Sequence, residues 1–431
     1  MTWEFGLTIS AIVLTALLGL PIGHAMIGAS LFYLLLVGSD MGIAAEQILR
    51  GLYGSYVLLA IPLFIFAADL MNVGSLSDRL LDFCRALVGR FRGGLGHVNV
   101  VSSLIFSGMS GSAIADAVGM GRIIINLMTK DGKYPAAYAG AITAASAIIG
   151  PIIPPSIPMV LYALVSDTSI GFLFLGGVAP GLILGLLLMV MNAIQARRYG
   201  FPVEAPVPMR ELPRVTLRAV PALLMPVILL VGIYGGITTP TEAAALAALY
   251  AFVVSTVFYR SVSLRLAYET VRQSARSTAS VGILIAGALV FNYVVTIERV
   301  PNSIRTVMEG YDLGLYGFLL FVNVFLLLLG CLLEANAILL VIVPIFLPTA
   351  MALGVDPVHF GVIVVVNTMI GLATPPYGLL LFVVSGLTKS PIGQTVRHLM
   401  PFLGIMIVGL GIITFVPGIV LWLPRLYGYA N

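Results

Sequence analysis

The feature that most constrains this chain is a proline-rich break inside a long apolar segment. Residues 138–164 are long and apolar enough to cross a bilayer, yet Gly150 to Ser156 read GPIIPPS. A continuous helix cannot pass through this stretch, because each proline lacks a backbone N–H and clashes with the preceding turn. Unpaired backbone groups are costly in hydrocarbon, so the break must be buried in protein or line a polar cavity. Two interpretations follow: a kink repaired by neighbouring helices, or a discontinuous helix whose free carbonyls and helix ends bind an ion.

The composition is that of a helical protein that crosses a membrane several times. Of the 431 residues, 60% are hydrophobic and 9% are charged, and the mean hydropathy is +1.09. Soluble domains carry about 25% charged residues. Runs of about twenty apolar residues indicate transmembrane helices, because barrel strands would alternate polar and apolar residues. The net charge of +4 lies in the loops and gives no indication of nucleic-acid binding.

Hydropathy predicts about ten crossing segments and two apolar hairpins. The hairpins are expected at 98–127 and 319–351, where GMSGS and GCLLEAN interrupt the apolar runs. If both are re-entrant and the N-terminus is periplasmic, most of the 22 Lys and Arg residues fall on the cytoplasmic side. The crossings are expected near residues 5–20, 22–38, 52–73, 136–164, 170–195, 219–236, 240–258, 277–297, 358–386 and 399–423.

The two halves of the sequence repeat the same features. Gly108 and Gly330 are 222 positions apart, and Pro154 and Pro375 are 221 apart. We therefore expect an all-α inverted repeat, and broken helices at corresponding positions of such a repeat indicate a transport site near the bilayer midplane. The expected units are a first repeat at 1–196 with its broken helix at about 136–164, a cytoplasmic linker at 197–218, and a second repeat at 219–431 with its broken helix at about 358–386.

Both predicted hairpin tips carry oxygen-bearing side chains. Ser110 and Ser112 stand in the first tip, and Glu334 and Asn336 in the second. Oxygen ligands suit a hard cation such as Na⁺, and the N-terminus of a following helix suits a carboxylate. The alternatives stay open: the first tip could be a small-residue packing face, Glu334 could bind the hairpin's own amides, and Asp116 could be a helix cap.

Three further patterns have local interpretations. The sequence from Thr239 to Glu242 is typical of a capped helix start. Arginine-rich segments 79–92 and 260–276 could form interfacial helices. The GMSG of residues 108–111 matches the GxSG of intramembrane serine proteases, but such a site needs a histidine beside the serine, and the four histidines lie near segment ends. We therefore expect a protein that is not an enzyme.

Taken together, the motifs resemble those of a known family, the large membrane subunit of tripartite ATP-independent periplasmic (TRAP) transporters, or DctM-like family. They span most of the chain in family order. The residues that carry the resemblance are Leu59–Phe64, Ser110–Ser112 with Ala115–Asp116, Gly150–Ser156, Gly235–Ala243, Asp356–Gly361, and Gly371 with Thr374–Pro376.

The resemblance implies an elevator-type secondary transporter of a bacterial inner membrane. It would import an organic acid anion, such as a C4-dicarboxylate, sialic acid or a sugar acid, by sodium symport. It implies two protein partners, a periplasmic substrate-binding protein and a small four-helix membrane subunit, which is expected as a separate chain because this one begins directly with the large subunit. Na⁺ is the coupling ion, and no other metal or cofactor is expected. The alternative is a sodium-coupled anion carrier of the same fold that works alone.

The resemblance also assigns site residues between each hairpin tip and the broken helix of its half. Substrate would lie between the tips. The first sodium site would use Ser110, Gly111, Ser112, Gly150, Ile153 and Pro154; the second Gly330, Glu334, Asn336, Gly371, Thr374 and Pro375; and the substrate Ser112, Ser156 and Tyr377.

Overall fold

The computed structural model describes residues 2–73, 76–204, 208, 210–310 and 314–430, and regular structure within them is helical. Residues 205–207 and 209 of the expected linker lie outside the described residues. The helices are α1 (Trp3–Leu17), α2 (Ile22–Val37), α3 (Gly42–Gly54), α4 (Ala60–Val73), α5 (Leu76–Val88), α6 (Gly94–Ser110), α7 (Ala113–Asp116), α8 (Arg122–Thr129), α9 (Ala136–Ala147), α10 (Ile157–Ser166), α11 (Ile170–Tyr199), α12 (Leu212–Tyr234), α13 (Pro240–Val253), α14 (Leu264–Ile297), α15 (Val300–Gly310), α16 (Leu315–Gly330), α17 (Ala335–Ala352), α18 (Pro357–Gly371), α19 (Leu379–Thr388), α20 (Ile392–Phe415) and α21 (Pro417–Leu426).

The helices confirm the expected all-α polytopic membrane fold. Among the described residues, 7 helical segments are long and apolar enough to cross a bilayer unaided, and α11 and α14 reach 30 and 34 residues. Shorter apolar helices come in consecutive pairs, α9 with α10 and α18 with α19, on either side of the proline-rich breaks. The predicted total of ten crossings stays a prediction.

Three predicted segments can be compared with the observed helix ends, and one of them was wrong. The segment predicted at 399–423 is two helices, because the backbone leaves the helical region at Val416 and Pro417 starts α21. Within the arginine-rich segment 260–276, residues 264–276 form the first turns of α14, so the crossing predicted at 277–297 is part of a longer helix, and the interfacial position of the segment stays a prediction. The linker at 197–218 stays a prediction; α11 continues into it to Tyr199, and α12 begins within it at Leu212.

Local signals explain several helix ends. Thr239 accepts a hydrogen bond from the backbone of Glu242 while the Glu242 carboxylate accepts one from the backbone of Thr239, which confirms the predicted capped start of α13. Asp356 accepts hydrogen bonds from the amides of Val358 and His359 and so caps α18.

The helices pack in two groups. In the outer group, α2 packs against α1 and α14, and α4 packs against α13 and α14. In the inner group, α9 packs against α6, α19 and α20, while α18 packs against α16, α17 and α11. Contacts of α4 with α6 and of α14 with α17 join the groups. The two hairpins and both broken helices therefore belong to the inner group.

A buried asparagine ties each hairpin to the broken helix of its own half. In the first half, Asn99 of α6 donates a hydrogen bond to Thr143 of α9 at 2.7 Å and accepts one from Ser146 at 2.9 Å. In the second, Asn367 of α18 donates to the side-chain oxygen of Asn323 of α16 at 2.7 Å. We call these contacts the asparagine ties.

The second tie gives a stability prediction. We expect Asn323→Leu to lower the unfolding midpoint by about 2–4 °C, because the buried amide of Asn367 loses its side-chain acceptor. Differential scanning fluorimetry of the purified protein measures this shift. Asn292→Leu in α14 is the control, since the Oδ1 atom of Asn292 has no hydrogen-bond partner among the described residues. Equal shifts in both variants would contradict the assignment of the tie.

Candidate functional site

The first hairpin reverses direction at Gly111. This residue has φ of 58°, a left-handed conformation that glycine adopts without strain. A Cβ atom at this position would lie 2.6 Å from the carbonyl oxygen of Pro155, so the tip lies directly against the first break. Ser112 then begins α7, with its side chain accepting a hydrogen bond from the amide of Ala115 at 3.4 Å. Of the two roles left open for Asp116, the structure does not support helix capping, because Ser112 caps α7 and the buried Asp116 lies at its end.

The first break runs from the end of α9 to the start of α10. Ser156 caps α10: its hydroxyl accepts from the amide of Met159 at 3.2 Å and donates to the carbonyl of Pro151. The free carbonyls point in different directions. The Ile152 oxygen packs against Gly177 of α11, whereas the Pro155 oxygen packs against the first tip. One backbone carbonyl of the break thus packs against the neighbouring helix α11, and another faces the tip of the first hairpin.

The second half brings its tip and its break together through two glycines. A Cβ atom on Gly371 would lie 2.6 Å from the Cα of Gly330, and one on Gly330 would lie 2.9 Å from the Cα of Gly371. The Thr374 hydroxyl donates to the carbonyl of Ile370 at 2.8 Å. Each break also contains one cis peptide bond, Pro154–Pro155 in the first and Pro375–Pro376 in the second.

Both tips open into one cavity of about 420 Å³, which we call the central cavity. The first tip contributes Ser110 to Ala115, the second contributes Glu334 to Asn336, and the two broken helices contribute apolar residues at their ends. The Asn336 side chain donates to the carboxylate of Glu334 at 3.0 Å. Glu334 occupies the position just before α17 and lines this cavity. Its side chain makes no hydrogen bond that caps the helix.

The remaining wall of the central cavity comes from the outer group of helices and was not predicted. Ile65, Ala68 and Asp69 of α4 face Gln273 and Ser277 of α14. The Asp69 carboxylate accepts a hydrogen bond from Ser274 of α14 at 2.6 Å. One signal could have identified this wall: Asp69 is an ionisable residue inside an apolar segment, which by itself indicates a functional position.

The predicted site residues separate into two sets. Those of the tips line the central cavity: Ser110, Gly111, Ser112, Glu334 and Asn336. The others lie outside that lining, at or near the tip-to-break contacts: Gly150, Ile153, Pro154, Gly330, Gly371, Thr374 and Pro375. Of the predicted substrate residues, only Ser112 lines the cavity, because Ser156 is buried as a cap and Tyr377 is 63% exposed elsewhere.

The chemistry of the central cavity favours cations beside an anion. Its lining contains two carboxylates and several hydroxyl and amide oxygens, and none of the lining residues is basic. The Ser110 hydroxyl is buried and has no hydrogen-bond partner among the described residues, so its lone pairs are free to bind an ion. The N-termini of α7 and α17 carry positive dipole ends that attract a carboxylate.

The same observation bears on serine-protease chemistry. A nucleophilic serine needs a hydrogen bond to a general base. Because the Ser110 hydroxyl has no such bond among the described residues, the GMSG sequence serves here as a hairpin tip.

Comparisons with known proteins agree on one family. The model of the "Tripartite ATP-independent periplasmic transporter, DctM component" family matches residues 8–419. The chain is 41% identical to the sialic acid TRAP transporter large permease protein SiaM of Vibrio cholerae, covering 96% of this chain and 97% of that protein. It is 43% identical to the C4-dicarboxylate TRAP transporter large permease protein DctM of Pseudomonas aeruginosa, covering 86% and 87%. The crystal structure of the YdaH transporter of Alcanivorax borkumensis shares the fold, with a TM-score of 0.62 at 17% identity over 86% of this chain and 87% of that one.

Proposed function

Since this chain belongs to the DctM component family of TRAP transporters, we propose that it imports an organic acid anion by sodium symport. It is a multi-pass membrane protein and a permease subunit, and its relatives are named as transporter permeases rather than enzymes. The observation that carries the proposal is the central cavity, which is lined by both hairpin tips and contains no basic residue to hold an anion. Bound cations at the tips supply the missing positive charge.

The first sodium ion is bound where the first tip meets the first break. Its ligands are the Ser110 hydroxyl and backbone carbonyls of Gly111, Gly150, Ile153 or Pro154. The second ion is bound where Gly330 meets Gly371, with Asn336 and Thr374 beside it. The close approach of backbone at both places supports this arrangement, because carbonyl oxygens can then converge without intervening side chains.

The substrate lies between the tips, with its carboxylate toward the N-termini of α7 and α17. Relatives named for sialic acid and for C4-dicarboxylates indicate an organic acid. In a tripartite system of this kind, a periplasmic binding protein delivers the substrate and a small four-helix membrane subunit completes the permease in the inner membrane.

Transport proceeds by an elevator movement of the inner helix group against the outer group. Residues 1–196 and 219–431 form two inverted repeats, with the N-terminus on the periplasmic side. Packing between the two halves supports the inverted repeat: α2 of the first half packs on α14 of the second half, and α4 of the first half packs on α13 of the second. The position of the central cavity between the two groups is a second supporting observation.

Substrate uptake into proteoliposomes tests sodium coupling. We expect an inward Na⁺ gradient to raise the initial uptake rate at least about tenfold over an equal K⁺ gradient, since Na⁺ is the ion proposed to bind at both tips and to drive import. The assay contains the full complex with its binding protein and the organic acid that this protein binds. Equal rates in Na⁺ and K⁺ would refute sodium symport, and full uptake without the binding protein would refute the tripartite arrangement.

A further inference from the structure

A second polar cavity lies away from the central cavity, between the first turns of α12 and helix α5. It has a volume of about 310 Å³ and is lined by Arg79, Asp82, Val215 and Arg218. Two guanidinium groups thus face one carboxylate. Neither Arg79 nor Arg218 forms an ion pair with any residue that the structure describes, in contrast to Arg85 of the same helix α5, which lies 3.8 Å from Glu204.

A single tyrosine contacts the side chain of one arginine of this cavity and the backbone of the other. The guanidinium carbon of Arg79 lies 3.7 Å from the centre of the Tyr259 ring, which is a cation–π contact. The Tyr259 hydroxyl donates to the backbone carbonyl of Arg218 at 2.9 Å. Tyr259 follows α13, so three separate parts of the chain meet at this cavity, and the Arg79 guanidinium is held against the Tyr259 ring before any ligand arrives.

The chemistry of the cavity matches a phosphate group. Arginine presents planar donors that bind phosphate oxygens in pairs, and an arginine already held against an aromatic ring, as Arg79 is, loses less entropy on binding. Exposed apolar side chains are neighbours in sequence of the residues at this cavity: Leu217, next to Arg218, is 75% exposed, and Val257 and Phe258, just before Tyr259, are 62% and 72% exposed. A ligand with both a phosphate and acyl chains fits these two surfaces.

We propose that the cavity between Arg79 and Arg218 binds the phosphate of an anionic membrane phospholipid. The site is independent of the transport site, since its residues do not line the central cavity. Inorganic phosphate shares the recognised group but has no acyl chains to contact Leu217 and Phe258. Basic pockets beside transmembrane helices are suited to lipid headgroups for this reason.

Native mass spectrometry of the purified protein, titrated with phosphatidylglycerol, tests the proposal. We expect the double variant Arg79→Gln/Arg218→Gln to bind this lipid at least about tenfold more weakly than the unmodified protein. Asp82→Asn should strengthen binding, because it removes the one carboxylate of the cavity. The control is Arg265→Gln/Arg272→Gln, which removes two exposed arginines of α14 outside the cavity and should leave the affinity unchanged.

Two further measurements keep the result decisive. Phosphatidylcholine should bind at least about fivefold more weakly than phosphatidylglycerol, since its choline adds positive charge. Equal binding of the two lipids, or equal weakening in the control variant, would overturn the proposal. Displacement of the lipid by inorganic phosphate at equal concentration would also overturn it. Should the double variant fail to fold, Arg218→Gln alone gives the same comparison, because the Arg218 side chain is exposed.

Discussion

Uptake by a Gly371→Ala variant is expected to fall about 100-fold or more while the protein stays in the membrane. The added methyl group would lie 2.6 Å from the Cα of Gly330 and 2.9 Å from its carbonyl carbon. Both neighbours are backbone atoms that cannot rotate away, so the second tip must separate from the second break. A displacement of about 1 Å is enough to reduce the rate of an aligned site about 100-fold, and overpacking of this kind costs about 1–3 kcal/mol of stability.

The experiment compares initial uptake in proteoliposomes at equal reconstituted amounts. Gly386→Ala in α19 and Gly404→Ala in α20 are matched controls, because a Cβ atom at either position would meet no atom within 4 Å. Both controls should transport at the unmodified rate. Normal uptake by the Gly371→Ala variant would show that the second tip and break need not touch for transport.

A Ser110→Ala variant is expected to need about 10–100-fold more Na⁺ for half-maximal uptake. The hydroxyl of Ser110 has no protein partner among the described residues, so its removal leaves the fold intact and deletes only a ligand. A hydrogen-bonding or coordinating contact with a charged group contributes about 1.5–3 kcal/mol, which corresponds to this range of affinity. The measurement is the Na⁺ concentration that gives half-maximal uptake, at saturating substrate.

Ser107→Ala provides the comparison within the same helix. Ser107 is also buried, but its hydroxyl already donates to the carbonyl of Leu104 at 2.6 Å. Its removal should leave the Na⁺ requirement within about twofold of normal. If both variants shift the Na⁺ requirement equally, Ser110 acts through helix packing and not as a ligand.

The sequence predicted the parts of the site that depend on local backbone chemistry. Prolines and glycines act through their own dihedral angles, so GPIIPPS and the tip at Gly111 could be located without knowledge of the fold. The oxygens of Ser110, Glu334 and Asn336 could be assigned to the tips on the same basis. All three line the central cavity.

What the sequence did not predict depends on distant packing. Asp69 carried a local signal as an ionisable residue in an apolar segment, but no local signal places Gln273 and Ser277 of α14 opposite the tips. Hydropathy averaging also concealed the helix end before Pro417, because apolar residues continue on both sides of it. The same averaging separated the arginine-rich first turns of α14 from the apolar remainder, although backbone hydrogen bonds run through both.

The asparagine ties have a consequence for how the protein assembles after its helices enter the bilayer. Hydrocarbon offers no water to replace a lost partner, so an asparagine that meets the wrong neighbour remains unsatisfied. If α6 shifted by one turn against α9, Asn99 would leave both Thr143 and Ser146. Apolar helix surfaces alone would tolerate many such alignments, because lipid and leucine are equally apolar. The asparagine ties thus select the one axial register of the paired helices in which each hairpin tip meets the break of its own half.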